Sequence, residues 1–235
     1  MGDEAHNRNV AGTTLLFQAL APNILESDFT TTQKREVFDF IKSSDYFSGP
    51  TWMVTAKAAL DAANGIENST VVTTMARNGV DFGIRVSGTG GQWFTGPAQE
   101  VIGPMFAGYT RADGGLDMGD SAITETYGIG GFAMAAAPAI VALVGGTVDE
   151  AMGYSRTMNT ITTGNNPNVT IPALDFMGVP TGIDVRKVME TGVLPLINTA
   201  IAHKDPGIGM IGAGITHPPV EAFQHALRTI ADKIA

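Results

Sequence analysis

Apolar residues recur at helical spacing through the first third of the chain and at strand spacing from Ser69 onward. Leu15, Leu16 and Ala19 mark the apolar face of a helix from Asp3 to Leu20, with Pro22 to stop it. Thr30, followed by Gln33 or Glu36, is a capping signal for a second helix whose buried face is Val37, Phe38, Phe40 and Ile41. Pro50 opens a third, through Trp52, Val54, Ala58 and Leu60 to Gly65. On it Lys57 and Asp61, four residues apart, form a surface pair.

Two β-rich runs follow, Thr70 to Ala76 and Val80 to Ser87, joined through Asn78-Gly79, a strong hairpin signal. Arg77 lies at the turn, and Arg85 faces away from Ile84 and Val86. Glycine-rich segments then lead to a strand predicted over Met105 to Tyr109. Tyr127 to Val148 is uncharged and long enough for a bilayer, but it is rich in Ala and Gly, interrupted by Pro138 and free of basic flanks, which predicts a buried helix instead. Thr147 with Glu150 caps a helix to Met158, Asn165 to Asn168 is a loop, and Pro218-Pro219 opens the last helix, Glu221 to Ile234. The pattern predicts an α/β fold: a helical N-terminal third over residues 1–68, then a mixed β-sheet with packed helices over 69–235, continuous with the first segment.

Composition narrows the function. A chain of 235 residues that is 44% hydrophobic and only 16% charged folds around a sizeable core and hides much of its surface, as in a multi-subunit complex. The net charge of −9, with no basic stripe, argues against nucleic acid. Without cysteine there is no disulfide, thiolate nucleophile or thiolate metal site. His6, His203, His217 and His225 lack metal-ligand spacing, so no metal and no cofactor is expected. The charged opening is no signal peptide and makes the cytoplasm the default compartment.

Chemistry concentrates between Leu116 and Gly146, where Asp120, Ser121 and Glu125 precede a Gly-Ile-Gly-Gly turn, Gly128 to Gly131. Glycines there allow close backbone approach and free amides for an anion, although such turns also precede helices that bind none. Arg77, Arg85 and Arg186 are candidate forks for carboxylate or phosphate, the glycine-turn amides a candidate oxyanion nest, and His6 or His203 a proton carrier. Arg8, Asn78 and Asp184 complete the candidate substrate-binding set, with Gly128, Gly130 and Gly131 as its backbone part; Asp120 and Glu125 join the histidines as catalytic candidates. Two carboxylates beside an uncharged helix need cations facing them, which predicts one pocket holding Asp120, Ser121, Glu125 and either Arg77 or Arg85.

Five ordered blocks, residues 2–9, 74–88, 118–139, 174–188 and 197–203, together resemble a bacterial family that includes the AllG-type (YlbE-type) subunit of oxamate carbamoyltransferase. The resemblance implies a cytoplasmic multi-subunit transferase of allantoin breakdown that interconverts oxalurate plus phosphate with oxamate plus carbamoyl phosphate. It implies an acyl-CoA-ligase-like (FdrA-type) partner subunit. Family members carry a substantial further N-terminal portion, so the chain reads as resembling a C-terminal portion only, with Met1 the start of a fragment. The competing expectation is a noncatalytic scaffold whose glycine-rich surfaces dock partners.

Overall fold

The computed structural model describes residues 2–44 and 47–234, with the side chains of residues 2–8 outside that description. It is α/β, with helices at the N-terminus followed by antiparallel sheets and packed helices. Two compact units divide between Val54 and Thr55.

In the first unit, α1 (Gly2–Glu26) is followed by α2 (Thr31–Lys42). The first helix continues past Pro22, which is exposed, so water can serve the carbonyl that the missing N–H leaves free. Thr30 caps α2 with Gln33 as its reciprocal partner: Gln33 N donates to Thr30 Oγ1 at 3.2 Å and Thr30 N to Gln33 Oε1 at 2.9 Å. Phe17 and Phe38 pack edge to face, 5.4 Å between ring centroids. The third helix, α3 (Gly49–Asp61), runs through the division between the units and carries the Lys57–Asp61 pair.

The second unit is built on hairpins. β1 (Val72–Asn78) and β2 (Asp81–Val86) turn at Gly79, whose φ of +84° suits glycine, while Asn78 Oδ1 accepts from Val80 N at 2.9 Å and Asp81 N at 2.7 Å. β3 (Trp93–Pro97) adds to β2 and the short β4 (Met118–Gly119) to β1, giving the order β3-β2-β1-β4. The inner face carries Met75, Phe82, Ile84, Val86 and Phe94, all buried. β3 was hidden in the sequence among glycines and proline. Gly96 is needed because a Cβ there would stand 2.8 Å from Pro219, at the head of the last helix.

The run from Tyr127 to Val148 is not one buried helix. α4 (Ala122–Tyr127) ends at Gly128, a 3-10 stretch covers Gly130–Ala136, and α5 (Pro138–Leu143) begins afresh with Pro138 in its first turn. The proline, placed where its missing N–H costs nothing, starts a helix rather than interrupting one. Among the described residues no helix is long and apolar enough to cross a membrane.

α6 (Val148–Asn159) has the expected capping box, Glu150 N to Thr147 Oγ1 at 3.3 Å and Thr147 N to Glu150 Oε2 at 2.7 Å. Thr147→Ala should therefore lower stability by about 1 kcal/mol in urea denaturation, without changing the m-value. β5 (Thr162–Ile171) pairs with β6 (Met177–Ile183), and the Asn165–Asn168 segment read as a loop lies inside β5: Asn165 and Asn166 pair with Pro180 and Val179, and a bulge follows before pairing resumes at Thr170. After α7 (Val185–Thr191), β7 (Ile197–Ala202) and β8 (Met210–Thr216) form the third hairpin. The strand expected at Met105 to Tyr109 is reduced to isolated bridges, Ile102 with Ile215 and Met105 with Gly212, and the chain turns away at Gly108, φ +91°. α8 (Val220–Ile234) buries Ala222, Phe223, Ala226 and Ile230 along one face, in the same core as β2 and β3.

Candidate functional site

The hairpin β1–β2 puts its two arginines on opposite faces of one sheet. Arg77 pairs across the ladder with buried Phe82, in phase with Met75, so its side chain is on the core face and fully buried. Arg85 is opposite Thr74 and Trp93, on the other face. Arg77 is the one of the two that meets a buried carboxylate, and it bonds Asp117 rather than the expected Asp120, while Glu125 feels its charge without a hydrogen bond.

Its guanidinium is held on three sides. Nε donates to Asp117 Oδ1 at 2.9 Å, and Nη2 to Ser121 Oγ at 3.0 Å and Thr199 Oγ1 at 2.7 Å. Asp117 precedes β4, Ser121 precedes α4 and Thr199 is in β7, so three parts of the chain converge on one cation. Nη1 of Arg77 and Oδ2 of Asp117 are also buried, and among the described residues neither has a hydrogen-bond partner. Burial pushes the Asp117 carboxyl up, against the charge and hydrogen bond of Arg77 that pull it down.

Glu125 is the second buried acid. Its Oε1 accepts from Gly131 N at 3.0 Å and from Asn198 N at 3.1 Å, and Thr124 Oγ1 donates to Oε2 at 3.2 Å. Burial raises its pKa from 4.5 to about 7, opposed by those amides and by the nearby charge of Arg77. The arrangement overturns one expectation. Three of the four glycine-turn amides are taken within the chain rather than open to a substrate: Glu125 itself takes Gly131 N, Gly128 N donates to Glu125 O at 3.1 Å, and Ile129 N donates to Thr124 O at 3.1 Å. The glycines serve close packing: a Cβ on Gly130 would fall 2.2 Å from Glu125 Oε1, on Gly131 2.1 Å from Leu196 O, and on Gly128 2.4 Å from Pro180 O.

Other candidates stand apart. Asp120 is exposed and its side chain has no partner among the described residues. Asn78 spends its side-chain oxygen on the hairpin turn. Asp184 caps α7, accepting from Arg186 N at 2.9 Å and from Arg186 Nη2 at 2.8 Å, while the Arg186 side chain is 66% exposed. Burial pushes the Asp184 carboxyl up, but the hydrogen bonds from Arg186 and Thr70 outweigh it and hold it below the usual range. His203 lies four residues beyond Thr199, about 13 Å along a strand. Its Nδ1 accepts from Asp205 N at 2.9 Å, which leaves the proton of the neutral ring on Nε2. His6 and Arg8 are in α1, and their side chains lie outside the description. Among the described residues no group of three or more acidic or histidine side chains could hold a metal.

Asp117 and Thr199 were missed by sequence reasoning. The signal was available for the first: an arginine in phase with buried Met75 on a strand needs a carboxylate in the core. Nothing in the sequence pointed to Thr199, which is 122 residues away from Arg77.

The family described as Oxamate carbamoyltransferase subunit AllG matches residues 1–121. The match lies on the N-terminal half of this chain, which corrects the expectation of a resemblance through a C-terminal portion only. "Uncharacterized protein YahG" of Escherichia coli (strain K12) is 72% identical over 227 residues, 97% of this chain and 48% of that protein. "Oxamate carbamoyltransferase subunit AllG" of the same strain is 47% identical over 235 residues, 100% of this chain and 56% of that protein. A crystal structure of a conserved protein of unknown function from Enterococcus faecalis V583 superposes with a TM-score of 0.91 at 72% identity, over 99% of this chain and 56% of that one. The chain thus spans about half the length of the relatives it matches. With its family match over residues 1–121 and whole-length similarity to an AllG subunit, this chain belongs to the family of oxamate carbamoyltransferase subunit AllG.

Proposed function

We propose that the chain is part of a cytoplasmic carbamoyltransferase that interconverts oxalurate plus phosphate with oxamate plus carbamoyl phosphate, and that it acts with further subunits, one of them of the acyl-CoA-ligase-like (FdrA) type. Family membership supports the transferase. The single observation that carries a role for this chain in the chemistry is the buried Arg77 guanidinium, whose Nη1 has no hydrogen-bond partner among the described residues while hydroxyls of Ser121 and Thr199 stand on Nη2.

In the transfer from oxalurate, a phosphate oxygen bonds to the carbamoyl carbon, the carbon–nitrogen bond to oxamate breaks, and the phosphate proton passes to the departing nitrogen. Every reactant is an anion. Arg77 supplies charge for a carboxylate or phosphate oxygen at Nη1, in a dry site where such a contact is strong. Ser121, only half-buried, is the edge of the cluster that a substrate can approach. Glu125 does not touch the substrate in this reading; it positions Gly131 and the start of β7 around the arginine. An anion arriving beside it disfavours its charged form, so binding draws a proton onto Glu125 and is tighter at pH 6 than at pH 8.

Oxamate binding to the chain and to the assembled complex, measured calorimetrically at both pH values, tests this. The expected result is binding that weakens by about 1–2 kcal/mol in Thr199→Val, a substitution that keeps the shape of the side chain. Turnover of the complex unaffected by changes at Thr199 and Ser121 would remove the chemistry from this cluster. The complete burial of Arg77 and Asp117 favours the second reading, a noncatalytic subunit whose polar cluster only holds three chain segments together. That reading expects no substrate binding and a loss of stability alone.

A further inference from the structure

The β5–β6 ribbon is exposed and almost without charge. Between Arg156, in the last turn of α6, and Asp184, which caps α7, the only charged residue is Asp175, at the ribbon's turn. Yet Thr163, Gly164, Asn165, Pro167, Asn168 and Thr170 of β5 all face solvent. A surface depleted of charge in this way is what the centre of a protein interface presents. Among the described residues β5 pairs with β6 alone, so its other edge is open. Asn165 stands opposite Pro180, which has no N–H to exchange, so at this point of the ladder Asn165 turns its backbone N–H and C=O away from β6, onto the open edge. Its side chain is held within the chain, Nδ2 donating to Asn159 Oδ1 at 3.0 Å and to Gly178 O at 2.8 Å, which fixes the strand there. Pro167, without an N–H, and the bulge before Thr170 keep the open edge short.

The turn of the ribbon is strained toward solvent. Phe176 has a φ of +57°, a conformation that bulky side chains rarely take, and it is 69% exposed. Burial of that ring against another chain offsets the strain. Asp175 beside it, φ +52°, and Arg156 are exposed as well, and among the described residues neither makes an ion pair.

We propose that the open edge of β5 and the turn that follows it are the contact with a second copy of this chain, paired antiparallel about a twofold axis at Asn165. Three observations select a copy of the chain itself as the occupant. Two chains of charge −9 repel, so copies meet at least cost where neither carries charge. Asn and Thr side chains donate and accept alike, so this surface is complementary to itself, as a twofold contact requires. Asn165 lies midway in sequence between Arg156 and Asp175, so antiparallel pairing carries the cation of each copy toward the anion of the other, whereas parallel pairing brings like to like. Phe176 travels with Asp175 and is covered by the partner.

Sedimentation velocity over a concentration series reads the assembly, with far-UV circular dichroism to show that each variant is folded. The 24.5 kDa chain should pass reversibly to twice that mass. Arg156→Asp should raise the dimer Kd at least about fivefold, and adding Asp175→Lys in the same chain should bring it back to within about threefold of the parent, because the swapped charges attract again. Gly164→Glu, whose side chain enters open space, sets two carboxylates beside the axis and should weaken the dimer about tenfold, without touching the turn. A monomer at every concentration up to about 0.1 mM, a dimer that ignores Arg156→Asp and Gly164→Glu alike, or a folded swap variant whose Kd stays where the single change put it would overturn the proposal.

Discussion

Arg77→Ala should lower the stability of the chain by about 3–5 kcal/mol, the cost of leaving a buried charge without its partner. The pair with Asp117 is 2.9 Å long with both side chains essentially inaccessible, and the same guanidinium holds Ser121 and Thr199. Removing it strands Asp117 in the core and breaks the link between β1, α4 and β7. Urea denaturation measures the loss. A double variant, Arg77→Met with Asp117→Leu, separates packing from charge, because replacing a buried pair by apolar groups of similar volume is close to neutral. If the double variant is as unstable as Arg77→Ala, the cost is not that of an orphaned carboxylate. The same cycle bears on function, since a stable double variant that supports no transfer in the assembled complex would assign chemistry to the cluster.

Glu125→Gln should change how stability depends on pH. An acid whose pKa rises from 4.5 to about 7 on folding binds its proton more tightly in the native state. That stabilisation is full below pH 4.5 and is lost as pH climbs through 7, a swing of about 3 kcal/mol at about 1.4 kcal/mol per tenfold change in proton affinity. Glutamine keeps an acceptor for Gly131 N and Asn198 N without the charge. The variant should therefore be more stable than the parent at pH 8, by roughly 1–3 kcal/mol, and lack much of the decline between pH 5 and 7.5. Chemical denaturation across that range reads the difference. A constant offset between the two proteins at every pH would mean that Glu125 does not titrate there. Asp117, also raised by burial, adds a slope of the same sign that persists in both proteins.

Local information was legible wherever neighbours in sequence settle the structure. The capping boxes at Thr30 and Thr147, the hairpin at Asn78-Gly79 and the amphipathic last helix follow from hydrogen bonds and apolar spacing within a few residues, and all are present. The α/β class followed from the same periodicities. β3, the bulge in β5 and the broken run after Tyr127 were not legible, because each depends on a segment distant in sequence: Pro219 over Gly96, β6 against β5, and the Leu196 and Pro180 carbonyls against the central glycines.

The site divides in the same way. The sequence by itself predicted one neighbourhood for Asp120, Ser121, Glu125 and either Arg77 or Arg85, since a charge-poor core needs its few charges paired. Only the tertiary structure decided that Asp117 rather than Asp120 faces the arginine, that Thr199 completes its shell, and that Glu125 fills the nest its own glycines make. It also decided that Arg77 and Arg85, eight residues apart, serve opposite faces of one sheet, because a hairpin's register, and not spacing along the chain, sets which side of the sheet each strand residue meets.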